Sequence, residues 1–156
     1  MADIFSKKKR SSIMSSIRSK GTAPEVRLLK IIRSLANGRK VVPNKSLAGV
    51  SVDAYIPSLK AAIFCDGCFY HMCPVHGHIP KSNKKYWAPK LARNKYRDLK
   101  SRRLLSEAGF AVWRVWEHSL TPSRINYTLA RMRRLLDKRA SNNSEVVKPA
   151  TGGRSE

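Results

Sequence analysis

All three cysteines of this 156-residue chain, and three of its four histidines, fall between residues 65 and 78. The segment reads Cys65-Asp-Gly-Cys68-Phe-Tyr-His71-Met-Cys73-Pro-Val-His76-Gly-His78. No other stretch restricts the fold as strongly. A structural zinc site needs four nitrogen or sulfur ligands in a tetrahedron, usually with short loops between paired ligands. Cys73-x-x-His76 is one such tight pair, and Cys68 is the natural third ligand. The fourth is Cys65, His71, His78 or a distant residue, and His118 is the sole histidine elsewhere. The set Cys68, Cys73, His76 and His118 is favoured, because it would tie the loop to the strand-like run ending at Trp116. An odd, clustered cysteine number flanked by histidines also argues for metal ligation in a reducing cytosol rather than a disulfide framework. The competing interpretation is three buried thiols with incidental surface histidines. It prevails for a lone Cys or His, but not for five ligand-type residues in the eleven positions from Cys68 to His78.

Charge narrows the partner. Thirty-two Lys and Arg stand against ten Asp and Glu, a formal net charge of +22. That excess makes a small anionic metabolite a poor main partner and points to a polyanion. At 42% hydrophobic residues the chain can still bury a core. No apolar run is long enough to span a membrane, and the start, Met1-Ala-Asp-Ile-Phe-Ser, has no signal-peptide core. A cytoplasmic location is expected.

The organisation expected is a basic N-terminal arm over residues 1–21, one domain over 22–139, and a disordered C-terminal tail over 140–156. Thr22-Ala-Pro-Glu25 reads as a capping box opening a helix with Leu28, Leu29, Ile32, Leu35 and Ala36 on one side, stopped at Asn37-Gly38. Val41-Val42 is a short strand-like run. In the next, residues 51–56, Val52, Ala54 and Ile56 share one face and Ser51, Asp53 and Tyr55 the other. Residues 61–65 read as a buried strand. A long basic helix follows over residues 84–108, containing Pro89 and ending at Gly109. Residues 111–116 form a further strand. A last amphipathic helix after Thr121-Pro122 carries Ile125, Leu129, Met132, Leu135 and Leu136. This order predicts an α/β layer fold with a mixed sheet.

Asp53 stands on the polar side of an otherwise apolar strand. Asp66 follows the next strand, and His71 comes five residues later. Carboxylates at neighbouring strands can hold a hard cation such as Mg2+. There it would polarise a phosphate and activate water, with a nearby histidine as general base. The plain alternative for Asp53 is a solvated residue on an edge strand, and His71 is equally open to being a zinc ligand.

These residues resemble a known family. Asp66-Gly-Cys-Phe-Tyr-His71-Met-Cys-Pro-Val-His76-Gly, then Pro80-Lys-Ser-Asn, Tyr86-Trp87, Lys90, Asn94, Arg97-Asp98, Gly109 and Val115-Trp-Glu-His118 are similar to the very short patch repair (Vsr) DNA mismatch endonucleases. Arg10-Ser11, Met14, Ile17 and Thr22-Ala-x-Glu25 fit as well, so the resemblance spans residues 10–120. It implies a restriction-endonuclease-like mixed sheet flanked by helices, with a structural zinc. It also implies Mg2+-dependent nicking of one strand, 5′ to the T of a T:G mismatch left by 5-methylcytosine deamination.

By this resemblance Asp53 is the Mg2+-binding aspartate, and the backbone carbonyl of Cys65 is a second metal contact. His71 is the histidine that activates water. Asp66 stands where some members have a second active-site histidine and others an aspartate. Cys68, Cys73, His76 and His118 are the zinc set, which frees His71 for catalysis. Phe69 and Tyr70 are the aromatic pair that inserts beside the mismatch, and Met14 inserts from the other groove. Two departures stand out: Val52 precedes Asp53 where many members have Pro, and Tyr70 replaces the usual Trp.

The wedge is physically reasonable by itself. A mismatched step is already weakly stacked, and inserted rings recover stacking. Phe69 and Tyr70 as core aromatics is the competing interpretation. Glu25 has a complete role as a helix cap, with a place in the metal site as the second option. Lys84, Lys90, Asn94, Lys95 and Arg97 on the basic helix are expected to meet DNA, largely through phosphates. The implied partner is duplex DNA bound by a monomer, with a functional link to a cytosine-5 methyltransferase and to general mismatch-repair proteins. The alternatives kept open are a restriction or defence nuclease of the same fold and a catalytically silent, zinc-stabilised DNA-binding protein.

Overall fold

A computed structural model of the chain describes residues 21–146. Most of the expected N-terminal arm, Met14 included, and residues 147–156 lie outside the described residues. The first helix, α1 (Ala23–Leu35), buries Leu28, Ile31, Ile32 and Leu35 at helical spacing. It ends at Asn37 and Gly38, both with positive φ (47° and 76°). The opening turn differs from the expected capping box. Thr22 makes no side-chain cap bond to the backbone. Instead its hydroxyl donates to Glu25 Oε1 at 2.9 Å, while Gly21 N–H donates to Glu25 Oε2 at 2.7 Å. The glutamate therefore does the capping alone.

A hairpin follows. Strand β1 (Val42–Leu47) pairs antiparallel with β2 (Val50–Ile56) from Val42↔Tyr55 to Leu47↔Val50. β1 is longer than the expected pair of valines, because the polar Pro43-Asn-Lys-Ser46 stretch gives no apolar alternation. As an edge strand it tolerates the proline. The two turn residues, Ala48 and Gly49, both have positive φ (46° and 76°), the twist a two-residue hairpin requires. β2 pairs antiparallel with β3 (Ala61–Asp66), and β3 pairs parallel with β4 (Ala111–Trp116), in the sheet order β1-β2-β3-β4. The parallel connection is made through α2 (Lys84–Glu107), a 24-residue helix with Pro89 in its second turn.

The last helix, α3 (Ile125–Val146), runs past the expected boundary at residue 139. No Pro or Gly interrupts the segment, and Ser141 Oγ donates to the Asp137 carbonyl at 3.1 Å, so each added turn extends an existing helix without a new nucleus. Among the described residues no helix is long and apolar enough to cross a membrane.

The sheet is covered on both faces. Leu28, Ile32, Ala54, Ile56, Ile63, Val115, Met132 and Leu136 form the core beneath α1 and α3. Leu47, Val52, Ala62 and Leu105 form a smaller core beneath α2. Each fully buried Leu or Ile here contributes roughly 1.5–3 kcal/mol of burial. Val52, Ala54 and Ile56 are all buried, as expected, but not on one face. Val52 belongs to the α2 side, while Ala54 and Ile56 belong to the other. The alternation changes sense at Asp53. Opposite it stands Asn44 with a positive φ of 49°. Strand irregularities of this kind commonly re-aim a side chain beside an active site.

Candidate active site

Asp53 leaves the regular pleat and turns toward the C-terminal end of β3. There its Oδ2 accepts a hydrogen bond from the Cys65 N–H at 2.7 Å. Around it opens a cleft of about 580 Å³ lined by Glu25, Asp53, Cys65, Asp66, His71, Asp98 and Arg114, with Ser51, Arg97 and Lys100 at its walls. Burial raises the Asp53 carboxyl to about 6 from an ordinary 3.8. The Cys65 N–H works against that rise, Glu25 and Asp66 add to it, and His71 opposes it. Burial, with Asp53 next, likewise holds the Cys65 thiol protonated far above its usual range.

His71 sits inside this cleft. Its Nδ1–H donates to Asp98 Oδ2 at 2.7 Å. Because a carboxylate can only accept, that bond keeps a proton on Nδ1, and Arg114 Nη2 lies 3.4 Å from the same nitrogen. Burial disfavours the Asp98 carboxylate, but His71 and Arg114 outweigh it and hold the carboxyl below its usual value. Asp66, 1% exposed, is gripped by Arg114. The Arg114 Nε bonds Asp66 Oδ2 and Nη2 bonds Oδ1 at 2.6 Å. The expected catalytic Asp66 thus lines the cleft with both oxygens already engaged.

The loop after β3 coils through successive turns. His71 N–H donates to the Gly67 carbonyl (3.1 Å), Cys73 N–H to Cys68 O (2.9 Å) and Gly77 N–H to Cys73 O (2.6 Å). Gly77 is required: a Cβ there would lie 2.6 Å from the Cys73 carbonyl oxygen. This coiling turns neighbouring side chains in different directions. Cys68 and Cys73 point to one side, where they meet His76 and His118, with all four ligand atoms within 4.8 Å of one another. Cys68 Sγ lies 3.1 Å and Cys73 Sγ 3.5 Å from His118 Nδ1, and Cys73 Sγ lies 3.9 Å from His76 Nδ1. Two thiols and two imidazoles so gathered could hold a metal ion. Burial pushes the Cys68 thiol up to about 11, so a dication is what would make it a thiolate at neutral pH. His118 is held below its usual value by burial first and then by His76, which keeps its lone pair available. Glu117 Oε1 braces the loop by accepting the Cys68 N–H at 2.8 Å.

Phe69 and Tyr70 point elsewhere again. Their rings are 5.2 Å apart, and Phe69 packs edge-on to Trp87 at 4.9 Å. Neither belongs to a buried core cluster among the described residues. Tyr86 adds a further ring, 5.1 Å from Trp87, with the Lys90 ammonium over both.

The pattern as a whole has known counterparts. A family model described as DNA mismatch endonuclease Vsr matches residues 2–76. Type II nicking enzyme V.NaeI of Lentzea aerocolonigenes is 43% identical over 112 residues, covering 70% of this chain and 68% of that one. Type II nicking enzyme V.XorIIP of Xanthomonas oryzae pv. oryzae is 34% identical over 139 residues, covering 88% and 98%. DNA mismatch endonuclease Vsr of Escherichia coli is 32% identical over 125 residues, covering 77% and 76%. The chain belongs to the Vsr DNA mismatch endonuclease family. It is accordingly a strand-nicking DNA endonuclease, a hydrolase.

Within this Vsr chain the structure brings Asp53, Glu25, Cys65, Asp66 and His71 to one cleft, and Cys68, Cys73, His76 and His118 to one cluster. His71 stands with the acids and not with the thiols. His78 stays outside both sets, its Nδ1 3.2 Å from the His76 carbonyl. The polar helix residues divide. Lys84, Lys95 and Arg97 are exposed. Asn94 instead braces the loop by donating to the Tyr70 carbonyl at 3.0 Å, and Lys90 donates to the Tyr86 hydroxyl at 2.9 Å. Four residues gain a place that the sequence alone did not assign: Asp98, Arg114, Glu117 and Trp87. Asp98 and Arg114 carried a signal in retrospect, one a rare acid in a basic helix, the other a charge inside an apolar strand.

Proposed function

We propose that this Vsr-family enzyme hydrolyses one strand of duplex DNA with Mg2+ at Asp53, and that the step it opens is a T:G mismatch. The observation that carries the reading is the single loop that presents His71 to an acidic cleft and turns the half-buried Phe69 and Tyr70 toward Trp87, away from the core. The cleft suits a hard dication. Asp53 has one oxygen not taken by the Cys65 N–H, and crowding by Glu25 and Asp66 helps to raise its pKa, a strain that a cation relieves. Bound there, Mg2+ supplies the charge that polarises the scissile phosphate and activates water.

The chain's own residues do the rest. Asp98 holds the His71 ring so that Nε2 takes a proton from the attacking water. As the water oxygen bonds to phosphorus, the bond to the leaving oxygen breaks. Arg97 and Lys100 at the cleft wall are placed to meet phosphate oxygens. Phe69, Tyr70 and Trp87 form the wedge. The ligands Cys68, Cys73, His76 and His118 suit Zn2+, whose closed tetrahedral site would fix the loop.

The setting favoured is restriction and modification rather than general repair. V.NaeI, V.NmeAIP and V.XorIIP are type II nicking enzymes by name. At 43%, 38% and 34% identity they stand above the mismatch endonuclease of E. coli at 32%. A cytosine-5 methyltransferase in that setting would supply the 5-methylcytosine whose deamination creates the mismatch. The same names favour a second reading, in which a fixed sequence is nicked in paired DNA. A panel of duplexes carrying T:G or T:A in varied flanks, with and without Mg2+, decides. Mg2+-dependent nicks confined to T:G are expected. Equal cutting of T:A would establish the second reading, and no cutting of any duplex would sink both.

A further inference from the structure

β4 reads Ala111-Val-Trp-Arg-Val-Trp116, so one guanidinium stands among five apolar side chains on this edge strand, in the wall of the cleft. Removing it from water is costly unless its donors are used. Arg114 is 22% exposed at its side chain, with its guanidinium 5.2 Å over the Phe64 ring. It uses the donors in an ordered way. Asp66 Oδ2 is taken by Nε and Asp66 Oδ1 by Nη2, and Nη2 also lies 3.3 Å from Asp98 Oδ1 and 3.4 Å from His71 Nδ1 itself. Of the four carboxylate oxygens in this group, only Asp98 Oδ2 is left, and that is the one His71 Nδ1 bonds at 2.7 Å.

The competing geometry is close at hand. Asp66 Oδ1 lies only 3.8 Å from the same imidazole nitrogen. A buried carboxylate without Arg114 would draw the ring toward itself, and the imidazole would have two partners and two orientations. We propose that Arg114 is a positioning residue for His71: it occupies both oxygens of Asp66 and one of Asp98, leaving the imidazole a single acceptor and a single orientation. The proposal rests on the reading of His71 as the base in strand cleavage. A lysine could not substitute, because one ammonium cannot span both ends of Asp66 and reach Asp98 as a planar fork does.

The test uses the full chain with its metal, Arg114→Gln and Arg114→Lys in parallel, and His71→Ala as reference. The lysine variant keeps the charge and the buried stem, so it carries the test if the glutamine variant folds poorly. Three quantities are measured: the single-turnover nicking rate on a T:G duplex, the affinity for that duplex, and the imidazole ¹⁵N shifts of His71. Misplacing a catalytic group by about 1 Å costs on the order of 100-fold. Both Arg114 variants should therefore lose roughly 10- to 100-fold in rate, with affinity changed by less than about 2-fold. The His71 resonances should broaden or split as the ring exchanges between Asp98 and Asp66, with Nδ1 protonated in both poses. An unchanged rate with a single unchanged ring environment overturns the proposal. So does a rate loss matched by an equal loss of affinity, which would place Arg114 on the DNA. If His71→Ala nicks at full rate, the reading of His71 itself falls, and Arg114 with it. If His71→Ala is inactive while both Arg114 variants are unimpaired, only the present inference fails.

Discussion

Asp53 is held by two opposing demands. Burial and the nearby carboxyls raise its pKa to about 6, yet a cation site needs it ionised. In the unfolded chain it titrates near 3.8, so between 3.8 and about 6 the folded state binds the extra proton. Stability is therefore lost as pH rises through this window, and the full cost is present above it. Asp53→Asn, whose amide oxygen can still accept the Cys65 N–H, should raise the Tm in Mg2+-free buffer above pH 6. The gain should shrink as pH falls toward 4. The same variant should nick nothing while still binding DNA. An equal Tm difference at both ends of the range would refute the account. His71→Ala should also abolish nicking, but without metal loss by elemental analysis, since His71 bonds Asp98 and not the thiol cluster. Asp53 was legible in the sequence as the one carboxylate of a largely apolar strand, whereas His71, among five Cys and His residues, was set apart from the zinc ligands only by the family resemblance. Arg114 and Asp98 were not legible. The value of Arg114 lies in a partner 48 residues away, and no local pattern reports such a pairing.

At the scale of elements, the proposed function divides the work of meeting DNA between the loop after β3 and the helix α2. Stacking on an aromatic side chain is worth about 1–3 kcal/mol per base. Phe69→Ala or Tyr70→Ala should therefore cost roughly 5- to 150-fold in T:G binding, with less loss on T:A, where opening the step is dearer. Neutralising Lys84 or Lys95 should weaken both duplexes alike and flatten the salt dependence. One binding series at two salt concentrations separates the classes. Full T:G preference in folded Phe69→Ala and Tyr70→Ala would remove the pair from recognition. The order and type of α1, β3, β4 and α3 were readable from periodicity, since each carries a clear apolar pattern, while most of the polar edge strand β1 was not. Nor was the change of face at Asp53. An unbroken alternation of Val52, Ala54 and Ile56 looks identical whether one face is buried or both are, and a sheet covered on two sides buries either.

Across the whole molecule, a net charge of +22 is carried on small cores, and the long loop between β3 and α2 has little apolar packing to hold it. The Cys68, Cys73, His76 and His118 cluster joins that loop to the residues just past β4, beside the bond from the Cys68 N–H to Glu117. One tightly held metal per chain is expected, and replacing any of the four ligands should remove it and lower the Tm. Cys65→Ser should leave the metal in place, because Cys65 lies in the cleft wall and outside the cluster. Metal lost from Cys65→Ser, or none in active protein, would overturn the assignment. Between Cys68 and Cys73 there are only four residues, and they include Phe69, Tyr70 and His71. On the proposed reading, the rings that would sense the lesion and the group that would cut are tethered by one metal site. An enzyme that severs a genome is most harmful when it keeps its blade and loses its judgement. On that reading, oxidation or chelation of this single site would disarm both together, so that the damaged protein would become inert and not indiscriminate.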